Sequence, residues 1–279
     1  LSTEGYLASA VPGTVAGFFE MHRKYGKLPW AQLLQPAIEL AEKGFPIHKT
    51  LADDLHGELT AFSKYPSSIK VYTDKGKPLK SGEIWKQTDL AHTLKLIAQK
   101  GAEGFYRGTV AEQIAHEMSD HGGLITKQDL ASYRAIERPP LRGLYRDLEI
   151  ISVAPPSSGG TCLIQLLNIL ENFDLRSLGF HSRKSIHLMI ETERRVYADR
   201  AEFLGDPAFY PVPLSGLLSK SYGHRIAYQL DLDKATPSRK MTFGNPGIEK
   251  EETTHYSVVD TEGNAVSVTY TLNDSYGSR

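Results

Sequence analysis

Between Thr253 and Asn273 the chain sets Thr253, His255, Ser257, Ser267, Thr269 and Thr271 at alternate positions, so that hydroxyls and one imidazole crowd together. Hydroxyls of this type can act as nucleophiles toward a carbonyl, but only with a base in hydrogen-bond reach. The element that must position them is a β-hairpin. Thr261-Glu262-Gly263 reads as a three-residue loop, a type I turn with Gly at the left-handed position. Asp260 then faces Asn264, Val259 meets Ala265, Ser257 meets Ser267, His255 meets Thr269 and Thr253 lies opposite Thr271. One face carries Thr253, His255, Ser257, Ser267, Thr269, Thr271 and Asn273. The other carries Tyr256, Val258, Val266, Val268 and Tyr270 and is expected to be core. A loop one residue longer would place Thr253 opposite Leu272 and turn every side chain over. By itself the pattern is also that of an ordinary strand pair, because β-branched residues suit strands whatever their function.

Apolar periodicity predicts helices over Thr14 to Tyr25, Ala31 to Lys43 with a kink at Pro36, and Asp89 to Lys100 capped by Thr88 and ended by Gly101. Further helices are expected over Val110 to Asp120, Thr161 to Glu171, Lys184 to Phe203 and Leu214 to Leu230, with strands over Ser132 to Glu137 and Leu148 to Val153. Pro155-Pro156-Ser157-Ser158-Gly159-Gly160 lies between a strand and a helix; it lacks the Lys of a phosphate-binding loop and reads as a sharp connection. Residues 233–252, rich in Lys, Glu, Pro and Gly, read as an exposed, mobile loop.

Composition narrows the class. Apolar residues make up 40%, charged residues 23%, and the formal net charge is −1, which argues against a disordered chain and a dedicated nucleic-acid binder. The longest apolar stretch, Leu163 to Leu170, is interrupted by Gln165 and Asn168 and falls short of the roughly 18 residues of a membrane span. The single Cys, Cys162, cannot form an internal disulfide and is expected to be a buried thiol. The ten His fall into no ligand motif, so neither a metal nor a cofactor is expected. Asn273-Asp274-Ser275 matches a glycosylation sequon, a short pattern that chance supplies often. His255 reads as a packed, hydrogen-bonded side chain.

The run TTHYSVVDTEGNAVSVTYTLNDSYG, from Thr253 to Gly277, closely resembles the start of the small subunit of γ-glutamyltranspeptidases, or glutathione hydrolases, among the N-terminal nucleophile hydrolases. Upstream, Ala8 to Gly17 (ASAVPGTVAG), Gln35-Pro36-Ala37, Gly122 to Thr126 (GGLIT), Pro155 to Gly160 (PPSSGG), Ala198-Asp199-Arg200 and Leu204 to Pro207 (LGDP) resemble that family's large subunit, in the same order.

The resemblance implies an α+β fold, the four-layer αββα sandwich, incomplete in these 279 residues. It implies a precursor that cuts itself at the Glu252-Thr253 bond. Residues 1–252 would be a large-subunit portion ending in the processing loop 233–252, and 253–279 the start of the small subunit. Thr253 would be the nucleophile, its freed α-amine the base, Thr271 the hydroxyl that orients it, and Asn273 a holder of the substrate's α-amino end. Substrates would be γ-glutamyl compounds such as glutathione and glutamine, with water, amino acids or peptides as acceptors, in the periplasm or outside the cell. An acylase of glutaryl-type side chains and a non-catalytic relative stand as alternatives; the presence of Thr253, Thr271 and Asn273 speaks against the latter. The chain looks like an internal fragment. The Arg that grips the substrate carboxylate, later glutamyl-pocket residues and the oxyanion-hole glycines are expected outside it. Oxyanion donors alone are worth about 100- to 1000-fold in rate, so the isolated piece is expected to be nearly inactive.

Overall fold

The computed structural model describes residues 4–240, 254–272 and 276–278. Helices dominate, and the strands pair two at a time among the described residues. The backbone divides into two compact units, Leu1–Ile136 with Lys250–Arg279, and Glu137–Glu249.

In the first unit, helices Thr14–Tyr25, Trp30–Lys43, Thr88–Lys100 and Thr109–Asp120 follow the periodicity closely. Pro36 sits inside the second of these, and Gly101, with φ 62°, ends the third. Thr88 is that helix's first residue and not its cap; Gln87 precedes it without a side-chain cap bond. Two apolar centres form here. Phe62, Ile47, Leu55 and Leu79 make one, and Leu130, Tyr106, Ala111 and Ile125 the other.

No strand forms over Ser132 to Glu137. Thr126 and Asp129 instead build a reciprocal capping box that starts a short helix, Lys127–Ser132. Helices Lys49–Gly57, Leu59–Phe62 and Pro66–Tyr72 were not visible as periodicity, being short and polar on much of their surface.

The second unit is built on helices Gly159–Leu170 and Arg183–Phe203. A hairpin, Leu141–Tyr145 with Leu148–Ser152, packs on the first of them through Gly143, where a Cβ would strike Ile164. The helix expected over Leu214 to Leu230 is broken in two, Leu214–Leu217 and Lys220–Tyr228. Ser219 causes the break: its Oγ accepts from Tyr222 N at 3.2 Å and caps the second piece. Cys162 is half-buried, against the expectation of full burial, and packs beside Ile169, Val196 and Ile226.

The connection at Pro155 to Gly160 contains a cis Pro155-Pro156 bond and enters its helix at Gly159. Arg200 Nε donates to Ser158 Oγ at 2.9 Å, joining residues 42 apart. Gly160 lies so close to the preceding strand that a Cβ would land on the Val153 carbonyl, whereas at Gly159 the nearest atom would be 3.7 Å away. Gly160→Ala is therefore expected to cost about 1–3 kcal/mol through overpacking, and Gly159→Ala much less. Urea unfolding of the two variants checks this, and equal midpoints would refute it.

Candidate active site

The hairpin forms with the expected register. Strands Thr254–Val259 and Ala265–Tyr270 pair Val259 with Ala265, Ser257 with Ser267, His255 with Thr269 and Thr254 with Tyr270. The turn explains why. Gly263 takes φ 83°, Gly263 N donates to Asp260 O at 3.1 Å, and Asp260 N donates to Asn264 O at 3.0 Å. The Asp260 carboxylate closes the loop by accepting from Glu262 N and Asn264 N, each at 2.9 Å, and from Asn264 Nδ2 at 2.8 Å.

On the hydroxyl face Ser257 Oγ donates to Ser267 Oγ at 3.3 Å. Thr271 follows directly on the second strand and is exposed. Thr253, Glu252 and Asn273 lie outside the described residues. The described ladder thus reaches the rung of Thr254 and Tyr270, one residue short of Thr253 and Thr271. Among the described residues no three His, Cys, Asp or Glu side chains gather as a metal site.

The apolar face departs from its expected core role. Val258 is 58% exposed, and Tyr256, Val266 and Tyr270 are exposed as well. A two-stranded ribbon has no second layer of its own to cover that face. An edge-to-face contact of Phe18 with Tyr270 at 6.3 Å ties the ribbon to the Thr14–Tyr25 helix, and an ion pair of Lys27 with Glu262 at 3.8 Å ties it to the connection after that helix.

Beyond the second strand the chain is pinned more firmly, by residues the sequence reading passed over. The Tyr276 ring meets Phe62 at 5.2 Å and Tyr72 at 5.4 Å, edge to face in both cases. Gly5 N donates to Ser278 O at 2.8 Å, and the Ser9 and Ser278 hydroxyls are 2.9 Å apart. Ser9 stands in the Ala8 to Gly17 segment, whose path is fixed by Tyr106: its hydroxyl donates to Pro12 O at 2.6 Å and accepts from Ala16 N at 3.2 Å. Gly13 admits the Tyr133 ring where a Cβ would collide with it. The available signal was the pairing of Ser9 with a Ser just past the hairpin, too weak to find from spacing.

The Gamma-glutamyltranspeptidase family model matches residues 1–279. A glutathione hydrolase proenzyme of Escherichia coli K12 is 48% identical over 280 residues, which is 99% of this chain and 48% of that protein. In structure, the chain is similar to Helicobacter pylori gamma-glutamyltranspeptidase, with TM-score 0.85 and 45% identity over 90% of this chain and 72% of that one. It is also similar to a cephalosporin acylase from Bacillus halodurans, with TM-score 0.84 and 29% identity over 96% of this chain and 49% of that one. The chain spans about half the length of the curated relatives it matches. The fold is accordingly the α+β class of N-terminal nucleophile hydrolases, with strands that pair two at a time among the described residues.

The turn carries a pH prediction. The Asn264 amide, followed by backbone N–H groups, holds the Asp260 carboxyl below its usual value. A lowered folded pKa gives stability that is present above the unfolded value of about 3.9 and is lost as pH falls through the folded one. Amide protection in Ala265–Tyr270 is expected to fall on acidification below about pH 4 and to lose that dependence in Asp260→Asn. Hydrogen exchange read by NMR checks it, and identical profiles in both proteins would refute it.

Proposed function

The chain belongs to the gamma-glutamyltranspeptidase family, and from that premise we propose that it is part of a proenzyme that cuts itself at Glu252-Thr253 and then acts as a γ-glutamyl hydrolase and transferase. The observation that carries the reading is the hairpin register, which pairs Thr254 with Tyr270; the sequence expectation sets Thr253 opposite Thr271, one position farther on. The family match over the whole chain supports it.

In maturation, the Thr253 Oγ attacks the Glu252 carbonyl carbon and the C–N bond breaks. The nitrogen takes up the hydroxyl's proton and becomes a free α-amine. Water hydrolyses the resulting ester, leaving a carboxylate at Glu252 and restoring the hydroxyl. The cut therefore makes residues 1–252 and 253–279 parts of separate subunits and gives Thr253 both nucleophile and base. An α-amine of reference pKa about 7.7–8.0 is partly neutral near pH 7 and can accept the hydroxyl proton.

In turnover, Thr253 attacks the γ-carbonyl of a compound such as glutathione or glutamine, and the amine side leaves with the proton. The γ-glutamyl ester then passes to water or to an acceptor amino acid or peptide. Thr271 orients the attacking oxygen, and Asn273 holds the α-amino end of the glutamyl group. No cofactor or metal is needed for these steps, because acyl transfer through an ester requires only the nucleophile, a base and oxyanion donors. Among the described residues no helix is long and apolar enough to cross a membrane. Export to the periplasm or beyond the cell rests on the family resemblance.

A second reading, an acylase for a glutaryl-type side chain, is favoured by the likeness to the Bacillus halodurans cephalosporin acylase. It shares the nucleophile and differs in the acyl pocket, so it predicts hydrolysis of a glutaryl anilide in preference to a γ-glutamyl anilide.

Expression of the complete gene product should yield two fragments on a denaturing gel, the smaller starting at Thr253. Thr253→Ala should give one uncut chain. Thr271→Ala should slow both maturation and γ-glutamyl anilide hydrolysis by roughly 100-fold, the scale of one lost hydrogen-bonding group at a reacting oxygen. An uncut wild-type chain that hydrolyses the anilide sinks the reading. With the α-amine as base, kcat/KM should also rise with pH through about 7.7–8.0 and then level off.

A further inference from the structure

The Arg183–Phe203 helix presents Lys184, His187, Glu191, Arg194 and Arg195 along one side, at spacings that bring helical residues onto a common face. Each reaches the same piece of chain, residues 231–238, which leads toward Glu252. His187 Nε2 donates to Asp231 O at 2.8 Å, and Lys184 Nζ stands 3.9 Å from the Asp233 carboxylate. Thr236 N donates to Glu191 Oε1 at 3.3 Å, and Arg195 Nη2 donates to Thr236 Oγ1 at 3.1 Å. Arg194 holds Glu191 Oε1 through Nη1 and donates through Nη2 to Ser238 Oγ at 3.2 Å. The strap is folded on itself as well, since Asp231 Oδ1 accepts from Asp233 N at 2.9 Å and Lys234 N at 3.1 Å. Residues 233–238 are thus stitched down, where composition suggested an exposed, mobile loop; residues 241–252 of that loop lie outside the described residues.

The chemistry of these stitches is costly for stability alone. Glu191 is 1% exposed. Burial by itself would push its carboxyl up, and the hydrogen bonds from Thr236 and Arg194 bring it to a net position below the usual carboxylate range. Among the described residues, Glu191 Oε2 and Arg195 Nε are also buried with no hydrogen-bond partner. A buried ion pair with unused polar atoms is a poor substitute for apolar packing as a source of stability. What it supplies is a defined position for the chain it grips.

We propose that Glu191, Arg194 and Arg195 are positioning residues for maturation: they clamp Thr236 and Ser238 so that the segment ahead of the Glu252-Thr253 bond starts from a fixed anchor. This rests on the self-cleavage reading given above. Counted along the sequence, 14 residues, 239–252, then separate the clamp from the bond, where 24, 229–252, separate it from the end of the Lys220–Tyr228 helix.

The test follows cleavage of freshly made complete precursor on denaturing gels for wild type, Thr236→Val, Arg195→Ala and the double variant, with Thr253→Ala alongside. Thr236→Val keeps the side chain's shape and removes the oxygen that Arg195 grips. Each single variant should cleave about two- to ten-fold more slowly, the scale of one lost hydrogen bond in the clamp. The double variant should be no slower than the slower single, since both remove one contact. Arg195→Lys, which can still donate to Thr236, should recover part of the rate. Once matured, the variants should show wild-type kcat and KM on a γ-glutamyl anilide. Wild-type half-times in both single variants would overturn the clamp, as would effects that multiply in the double variant or reduced kcat in matured material. Cleavage of Thr253→Ala at the same bond would overturn the self-cleavage reading instead.

Discussion

The register of one three-residue turn governs where every chemically interesting side chain points. Gly263 can hold φ 83° because it has no Cβ, and the Asp260 carboxylate gathers the N–H groups of Glu262 and Asn264 around it. With side chains alternating along each strand, a slip of a single residue would send Ser257, Ser267 and Thr269 to the face now held by Tyr256, Val258 and Val266. Few constraints in the chain involve so little material and decide so much. The polar turn is exposed, so its hold comes from geometry and several shared acceptors and not from burial.

A ribbon specified in this way still has to be placed, and two strands alone cannot do that. The placement comes from its far end. Tyr276 enters the cluster of Phe62 and Tyr72, while Ser278 meets Gly5 and Ser9. Ser9 is in turn held in a segment that Tyr106 ties to the start of the Thr14–Tyr25 helix. Thr271 therefore sits between a turn that fixes its face and an aromatic anchor that fixes its height. Residues far apart in sequence do this work, which makes the first unit discontinuous in the chain.

How much could be read beforehand follows the range of the interactions. The turn, the ladder and the long helices depend on near neighbours, and they were legible: Gly101, Gly263 and the apolar spacing in Thr14–Tyr25 signal themselves. Two local signals were present and outweighed. Thr126 with Asp129 marks the start of a short helix that runs to Ser132, where a strand was expected to begin, and Ser219 marks a restart inside an apparently continuous helix. The apolar face of the hairpin read as core because alternation reports a face that can be buried, without reporting what buries it. Asp199 and Tyr276 stood out only within the segments of family resemblance and Glu191 not at all, since the roles of these side chains are defined by partners that spacing does not reveal.

The second unit shows why such partners matter. Asp199 and Arg200 are adjacent on one helix and so point in directions about 100° apart. Asp199 turns inward, where Gln165 and the Tyr222 hydroxyl, the latter at 2.8 Å, both donate to its Oδ2. Burial, and then that carboxylate, push the Tyr222 hydroxyl up to about 12, so it remains a donor across the physiological range. Arg200 turns the other way and takes hold of Ser158 at the entry to the Gly159–Leu170 helix. Farther back along the same helix, Glu191 and Arg195 grip the strap at Thr236. One 21-residue helix therefore locks the neighbouring helix through a buried carboxylate, the strand-to-helix connection through a guanidinium, and the chain leading to Glu252 through a mixed pair. Because the helix is a single rigid element, the strap inherits its placement from the buried core of the unit, while the exposed ion pair of Lys184 with Asp233 contributes little to it.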